Sequence, residues 1–171
     1  TTIHYTMKPL LILASSSRYR RELLDRLCLP YESISPDVDE SAQPGETPRE
    51  TALRLAELKA RAVWNQHPGS VVIGSDQTAD LHGVRLGKPH TRENAVKLTR
   101  VRMRPLSQSA IEAYIDREKP FDCAGSAKIE SLGIALMSAV SSDDPTALIG
   151  LPLMKLTTLL KEAGIEVLPG L

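Results

Sequence analysis

Apolar residues fall into two kinds of pattern along this chain: short unbroken runs, and leucines spaced three and four apart. Leu10 to Ala14 has no polar interruption, as in a strand buried on both faces, and Leu23, Leu24 and Leu27 follow at helical spacing over Arg18 to Leu27. A strand, a turn and a helix are predicted. Pro30 and Pro36 then punctuate a loop or short strand, and SPDVDESAQPGE from Ser35 to Glu46 reads as an acidic, turn-rich loop. Thr47, Pro48 and Glu50 form a capping box with proline at the first helical position, predicting a helix to about Gln66. SVVIGSDQTAD, Ser70 to Asp80, predicts a second buried strand, and DLHGVRLG a turn into a short return strand.

Further on, helices are expected over Arg92 to Arg100 behind Thr91, over Gln108 to Arg117 behind Ser107, and over Pro152 to Ala163 up to Gly164. Gly133 to Met137 is strand-like. Strands alternating with helices imply an α/β fold, and 171 residues suffice for a single domain, 1–171, with one sizeable core. One junction breaks the pattern: the helix ending at Arg100 meets VRMRPLS with no turn chemistry between them.

The 21 Lys plus Arg balance 21 Asp plus Glu, so no net field attracts a polyanion or an acidic membrane surface, and any anion site is local. The apolar runs are shorter than the roughly 18 residues a spanning helix needs, and no signal-peptide segment is visible. Cys28 and Cys123 have no metal or redox spacing, which fits buried or half-buried thiols in a reducing cytoplasm. The histidines at 4, 67, 82 and 90 are too scattered to pair on a metal.

Chemistry is suggested at a few places. At about 100° per residue, Ala52, Leu55, Ala56 and Val63 form one apolar arc with Lys59 in its middle, while Arg54, Glu57 and Arg61 lie opposite. A core-side ammonium needs a counter-charge or an anionic ligand, unless its long stem carries it to the rim. Asp76 ends VVIGSD, at the strand end where open α/β sheets place ligands; position alone allows either a metal or proton role, or a turn cap. Glu40, in the acidic loop with Asp37 and Asp39, is a second candidate carboxylate, and Lys88 in LGKP sits on a turn. Behind the first strand, the hydroxyls of Ser15 and Ser17, backbone N–H groups and the guanidinium forks of Arg20 and Arg21 suit either an anion cradle without Walker-type glycine spacing or a serine-capped helix with a solvated basic face. No Ser/His/Asp or Cys/His arrangement supports acyl chemistry.

In order, LASSSRYRRELL, DVDE, AELKA, IGSDQ, GKP, CAGSAKIESLG and IGLPL resemble the successive motifs of the Maf family, the septum-formation-type nucleoside triphosphate pyrophosphatases. The resemblance spans Leu11 to Leu153. It implies a mixed twisted sheet flanked by helices, as in inosine triphosphate pyrophosphatases, with a cleft between two lobes. It also implies hydrolysis of a nucleoside triphosphate to the monophosphate and pyrophosphate, a divalent metal (Mg or Mn), and a homodimer. The family's functional positions fall on Ser15, Arg20, Glu40, Lys59, Asp76 and Lys88. Asp76 would accept the proton of the attacking water and also hold metal, Glu40 would help bind metal, and Arg20, Lys59 and Lys88 would neutralise phosphate charge.

Within the family, Tyr19, Gln77 and Glu130 resemble the branch acting on 7-methyl-GTP; N7-methylated guanine is cationic, which suits an aromatic face and a carboxylate. A packing role for Tyr19 and the thymidine/uridine triphosphate branch stay open, as does a non-catalytic nucleotide-binding regulator of cell division. Arg18, where many members have proline, is left without a role. Family members carry a further segment with an SG…V…T motif where Arg100 meets Val101, so a missing segment between 100 and 101 is expected. Neither nucleic acid nor membrane is expected as a partner.

Overall fold

The computed structural model describes residues 9–81, 84–86, 99–121 and 126–170. In chain order the elements are β1 (Leu11–Ala14), α1 (Arg18–Leu24), β2 (Glu32–Ile34), α2 (Pro48–Trp64), β3 (Val71–Gly74), β4 (Ala79–Leu81), β5 (Val84–Leu86), β6 (Arg100–Met103), α3 (Gln108–Glu118), β7 (Met137–Ser141) and α4 (Leu153–Glu162). β1 is the centre of a parallel sheet in the order β2-β1-β3, with Ile12 opposite both Glu32 and Val72. Both faces of a central parallel strand are covered, which is why its apolar run is unbroken.

Alternate β1 residues feed two cores. Leu11 and Leu13 cluster with Leu23 and Leu24 of α1 and with Leu156 and Leu160 of α4. Ile12 and Ala14 instead meet Val63 of α2. Each fully buried leucine contributes about 1.5–3 kcal/mol, so the stability of this region is concentrated around β1. α2 starts as its sequence predicts: the Thr47 hydroxyl accepts the Glu50 N–H, Glu50 accepts the Thr47 N–H, and Pro48 opens the first turn.

The remaining strands form two antiparallel pairs, β4 with β5 and β6 with β7. Several local expectations change. α1 ends at Leu24, and Asp25–Leu27 tightens into a 3-10 turn closed by Cys28 at φ 52°; the reversal lies at the surface, so Cys28 is exposed, not buried. The run Gly133 to Met137 is not a strand. Leu132–Leu136 coils into a 3-10 turn because the N–H groups of Ser131 and Gly133 both donate to the Lys128 carbonyl, at 3.1 and 2.9 Å, and β7 begins only at Met137. A Cβ at Gly133 would lie 2.4 Å from that carbonyl oxygen.

Arg100 starts a strand instead of ending a helix: it lies opposite Ser141, and Val101 opposite Val140, so β6 runs through the Arg100–Val101 join. Its branched valine and long side chains suit a ladder once a partner strand is present. Residues 92–98 of the expected helix lie outside the described residues, as do Cys123, His4, His82 and His90. The long strand expected over Ser70 to Asp80 stops at Gly74, and the chain re-forms a separate hairpin from Ala79. Among the described residues no helix is long and apolar enough to cross a membrane.

Candidate active site

The cleft is built on the C-terminal ends of β1 and β3, the edge of a parallel sheet where ligands bind in open α/β folds. β1 ends in buried Ser15, whose hydroxyl accepts the Ser17 N–H at 3.1 Å and Arg20 Nη1 at 3.3 Å. Ser17 caps α1, its hydroxyl accepting the Arg20 N–H at 3.4 Å. Both serines therefore hold the first turn of α1 and aim Arg20 into the cleft. Burial pushes the Arg20 guanidinium below its ordinary value, while the charges of Asp76 and Glu40 oppose that shift.

The floor depends on a close approach of α2 to β3. A Cβ at Gly74 would fall 2.0 Å from the Ala56 carbonyl oxygen, so only glycine lets the two backbones meet there. That approach brings Lys59, 5% exposed on the inner face of α2, onto the fully buried Asp76, where its ammonium donates to Oδ1. The same ammonium pairs with Glu40 at 2.9 Å. Asp76 Oδ2 is buried with no hydrogen-bond partner. Burial raises the Asp76 carboxyl above its ordinary value; the charge and hydrogen bond of Lys59 and the charge of Arg20 oppose the rise, and Glu40 adds to it.

Glu40 reaches this place because its loop is clamped to α2. Arg54 donates from Nε to Glu46, and from Nη2 to Glu46 at 2.8 Å and to the Ser41 carbonyl at 2.9 Å. The Thr51 hydroxyl adds a bond to Glu46 at 3.0 Å. Arg54 lies on the face of α2 expected to be solvated, and the sequence offered no sign that the acidic loop folds back over it.

A turn before α4 closes the site from behind. The Gly150 carbonyl accepts Arg20 Nε at 3.1 Å and the Ser75 hydroxyl at 3.3 Å, and the Leu148 carbonyl accepts Gln77 Nε2 at 2.9 Å. Gly150 has φ +134°, and a Cβ there would stand 3.2 Å from Gln77 Oε1, so the turn and the two side chains are in direct contact.

The structure thus gathers Ser15, Ser17, Tyr19, Arg20, Glu40, Lys59 and Asp76 on one cleft of about 550 Å³, a size suited to a small organic ligand. Gln77 stands beside it through its bond to the Leu148 carbonyl. Arg21 is held at the edge, donating to the Ser16 carbonyl at 2.9 Å, and is not among the cleft-lining residues. Glu130 is exposed and does not line it either, whereas Lys128, two positions earlier in the same motif, does. The motif's letters alone do not tell which of the two faces the cleft. Arg18, unplaced by sequence, pairs with Glu22 at 3.0 Å and holds its guanidinium 5.5 Å from the Tyr19 ring centre. Lys88 lies outside the described residues.

Two carboxylates converge at Lys59, and among the described residues no group of three or more metal-type side chains gathers. A hard divalent cation still fits: the orphaned Asp76 Oδ2 and the half-buried Glu40 carboxylate are oxygen donors of the kind Mg or Mn takes, with water and phosphate oxygens completing the shell.

The sequence model of the family described as Maf-like protein matches this chain over residues 10–98 and 94–163. A protein of Bordetella pertussis named 7-methyl-GTP pyrophosphatase is 52% identical over 192 residues, covering 95% of this chain and 96% of its own. Another of that name, from Methylobacillus flagellatus, is 47% identical over 191 residues, covering 94% of this chain and all of its own. A third, from Polaromonas sp., is 47% identical over 196 residues, covering 96% of this chain and 89% of its own. Each alignment is longer than the 171 residues of this chain, so these relatives carry positions with no counterpart here.

Proposed function

The chain belongs to the family of Maf-like proteins, and on that premise we propose that it is an enzyme hydrolysing 7-methyl-GTP to 7-methyl-GMP and pyrophosphate. The observation that carries this reading is buried Asp76, with its carboxyl raised and one oxygen unpartnered, on the floor of a cleft walled by Ser15, Arg20 and Lys59. Relatives about half identical to this chain bear the name of that activity.

The chemistry follows from those side chains. Water attacks the α-phosphorus, pyrophosphate leaves, and Asp76 takes the water's proton; a carboxyl raised by burial is a better base than an ordinary one. Lys59 keeps Asp76 ionised for that step through its ion pair. Arg20, its Nε pinned on Gly150, presents its remaining N–H groups to phosphate oxygens as charge builds on them. Lys88 belongs to the same group of phosphate-neutralising cations in this proposal. A divalent metal held by Asp76 and Glu40 would supply positive charge at the phosphates.

Tyr19 is the face offered to the cationic base, with Gln77 as a further specificity position; Glu130, outside the cleft lining, is given no part in it. The relatives' additional positions are assigned to the Arg100–Val101 join, beside which the two stretches of the family match meet. We place the enzyme in the cytoplasm as a homodimer, with no nucleic acid as partner. The test is pyrophosphate release from 7-methyl-GTP, GTP, dTTP and UTP with Mg or Mn. Preference for 7-methyl-GTP is expected. Preference for dTTP or UTP would move the chain to the other branch, and no release from any substrate would leave only a nucleotide-binding regulator.

A further inference from the structure

Asp144 belongs to no motif that the sequence singled out, yet it is fully buried. Both of its carboxylate oxygens are used on nearby backbone and hydroxyl donors. Oδ1 accepts the Thr146 N–H at 3.1 Å and the Thr146 hydroxyl at 2.7 Å; Oδ2 accepts the N–H groups of Met154 at 2.9 Å and Lys155 at 3.4 Å. Met154 and Lys155 lie in the first turn of α4, whose N-cap residue, Pro152, offers no side-chain cap. Asp144 therefore does from a distance what a capping residue does locally.

Thr146 carries the connection further. Its hydroxyl donates to Asp144 and accepts the Leu153 N–H at 2.8 Å, and its carbonyl accepts the Gly150 N–H at 3.3 Å. The turn between Asp144 and Gly150 is thus tied to α4 at its Asp144–Thr146 end and closed on itself at Gly150. This is the turn whose Leu148 and Gly150 carbonyls hold Gln77, Ser75 and Arg20. Burial pushes the Asp144 carboxyl up, but the bonds from Thr146, Lys155 and Met154 outweigh it and hold the group below its ordinary value, so it stays an acceptor at neutral pH.

We propose that Asp144, acting through Thr146, is a positioning residue of the cleft: it fixes the Leu148 and Gly150 carbonyls and thereby orients Arg20 toward phosphate and Gln77 toward the base. The proposal rests on the nucleotide reading given above. An arginine that loses its Nε anchor turns through its rotamers, and a misplacement of about 1 Å costs up to about 100-fold in rate.

The test compares Asp144→Asn, Thr146→Val, Thr146→Ser and Leu160→Ala. Asp144→Asn puts an amide NH₂ against donors. Thr146→Val removes the bridging hydroxyl and Thr146→Ser keeps it, so this pair decides the matter even if Asp144→Asn does not fold. Leu160, 1% exposed in the core on α4, serves as a control that loses stability without removing any hydrogen bond of the turn. Readouts are the thermal midpoint, kcat and KM for 7-methyl-GTP and GTP, and affinity for inorganic tripolyphosphate by calorimetry. Asp144→Asn and Thr146→Val are expected to lower kcat/KM about tenfold, narrow the preference between the two nucleotides and weaken tripolyphosphate binding. Thr146→Ser is expected to restore all three, and Leu160→Ala to lower only the midpoint. If Asp144→Asn and Thr146→Val behave like Leu160→Ala, Asp144 is a structural staple and the proposal falls. A wild-type protein that hydrolyses no triphosphate would sink the nucleotide reading instead, and the tripolyphosphate affinities would still decide whether Asp144 orients Arg20.

Discussion

The parallel sheet with α2 and the β6–β7 ladder with α3 are built to different densities. Every residue of β1 is buried, and α2 buries Thr51, Ala52, Leu55, Lys59 and Val63. α3 buries only Tyr114, and β7 only Met137. The charges of the site sit in the denser region: Lys59 and Asp76 are enclosed by the elements that bury the most apolar surface. Low dielectric there raises Asp76 and strengthens its pairing with Lys59, which a solvated ladder does not do. The ladder side contributes one cleft-lining residue, Lys128, whose backbone N–H donates to the Tyr114 hydroxyl at 3.0 Å. In this chain a dense core also raises the carboxyl it encloses.

The hardest break of that contrast is Asp76→Asn. Loss of the proton acceptor is expected to lower kcat by about 10²–10⁴-fold while nucleotide binding, read by calorimetry, persists. Comparable loss of binding and turnover would remove Asp76 from the chemistry. Next comes packing. Leu55→Ala, at a fully buried position, is expected to cost about 2–5 kcal/mol by denaturant unfolding, against about 0.5 kcal/mol or less for Ile111→Ala on the exposed face of α3. Similar losses at both positions would erase the difference between the regions.

Acidity sharpens the same picture. The rate should rise with pH as Asp76 loses its proton, with a midpoint above the ordinary carboxylate range, and Glu40→Gln should lower that midpoint because Glu40 adds to the rise. A midpoint unmoved in Glu40→Gln would separate the two carboxylates. Glu46 behaves oppositely: bonds from Arg54, the Gln43 N–H and Thr51 hold it down to about 2. Its contribution to stability is therefore full above the ordinary glutamate value and lost as pH falls through about 2. Wild type is expected to exceed Glu46→Gln in thermal midpoint near neutrality, with the gap closing on acidification; a gap constant with pH would count against the clamp. The smallest effect belongs to Arg18→Ala, since the Arg18–Glu22 pair is solvated on both sides and exposed pairs contribute about 0–1 kcal/mol. A larger shift in melting midpoint would give Arg18 a part in stability beyond that pair.

What was legible in the sequence is local. The unbroken β1 run, the serines after it, the Thr47 capping box and the place of Lys59 on the α2 arc all follow from periodicities of two and 3.6 residues and from cap chemistry. The errors are also local in origin. Gly133 to Met137 has strand composition, yet two N–H groups sharing the Lys128 carbonyl wind it into a turn. Lys128, just before that turn, lines the cleft, and Glu130 does not.

By itself, then, the sequence determined the first buried strand, the capped start of α2 and the inward place of Lys59, because those depend on residue type at fixed spacing. Only the tertiary structure decided how Arg54 draws the acidic loop over α2, how Gly74 admits α2 to β3, and how the Gly150 carbonyl meets Arg20, a contact 130 residues apart in the chain. The physical reason is that the acceptors are backbone oxygens, which every residue carries; their direction is set by turns and packing and leaves no trace in the identity of the residue that presents them.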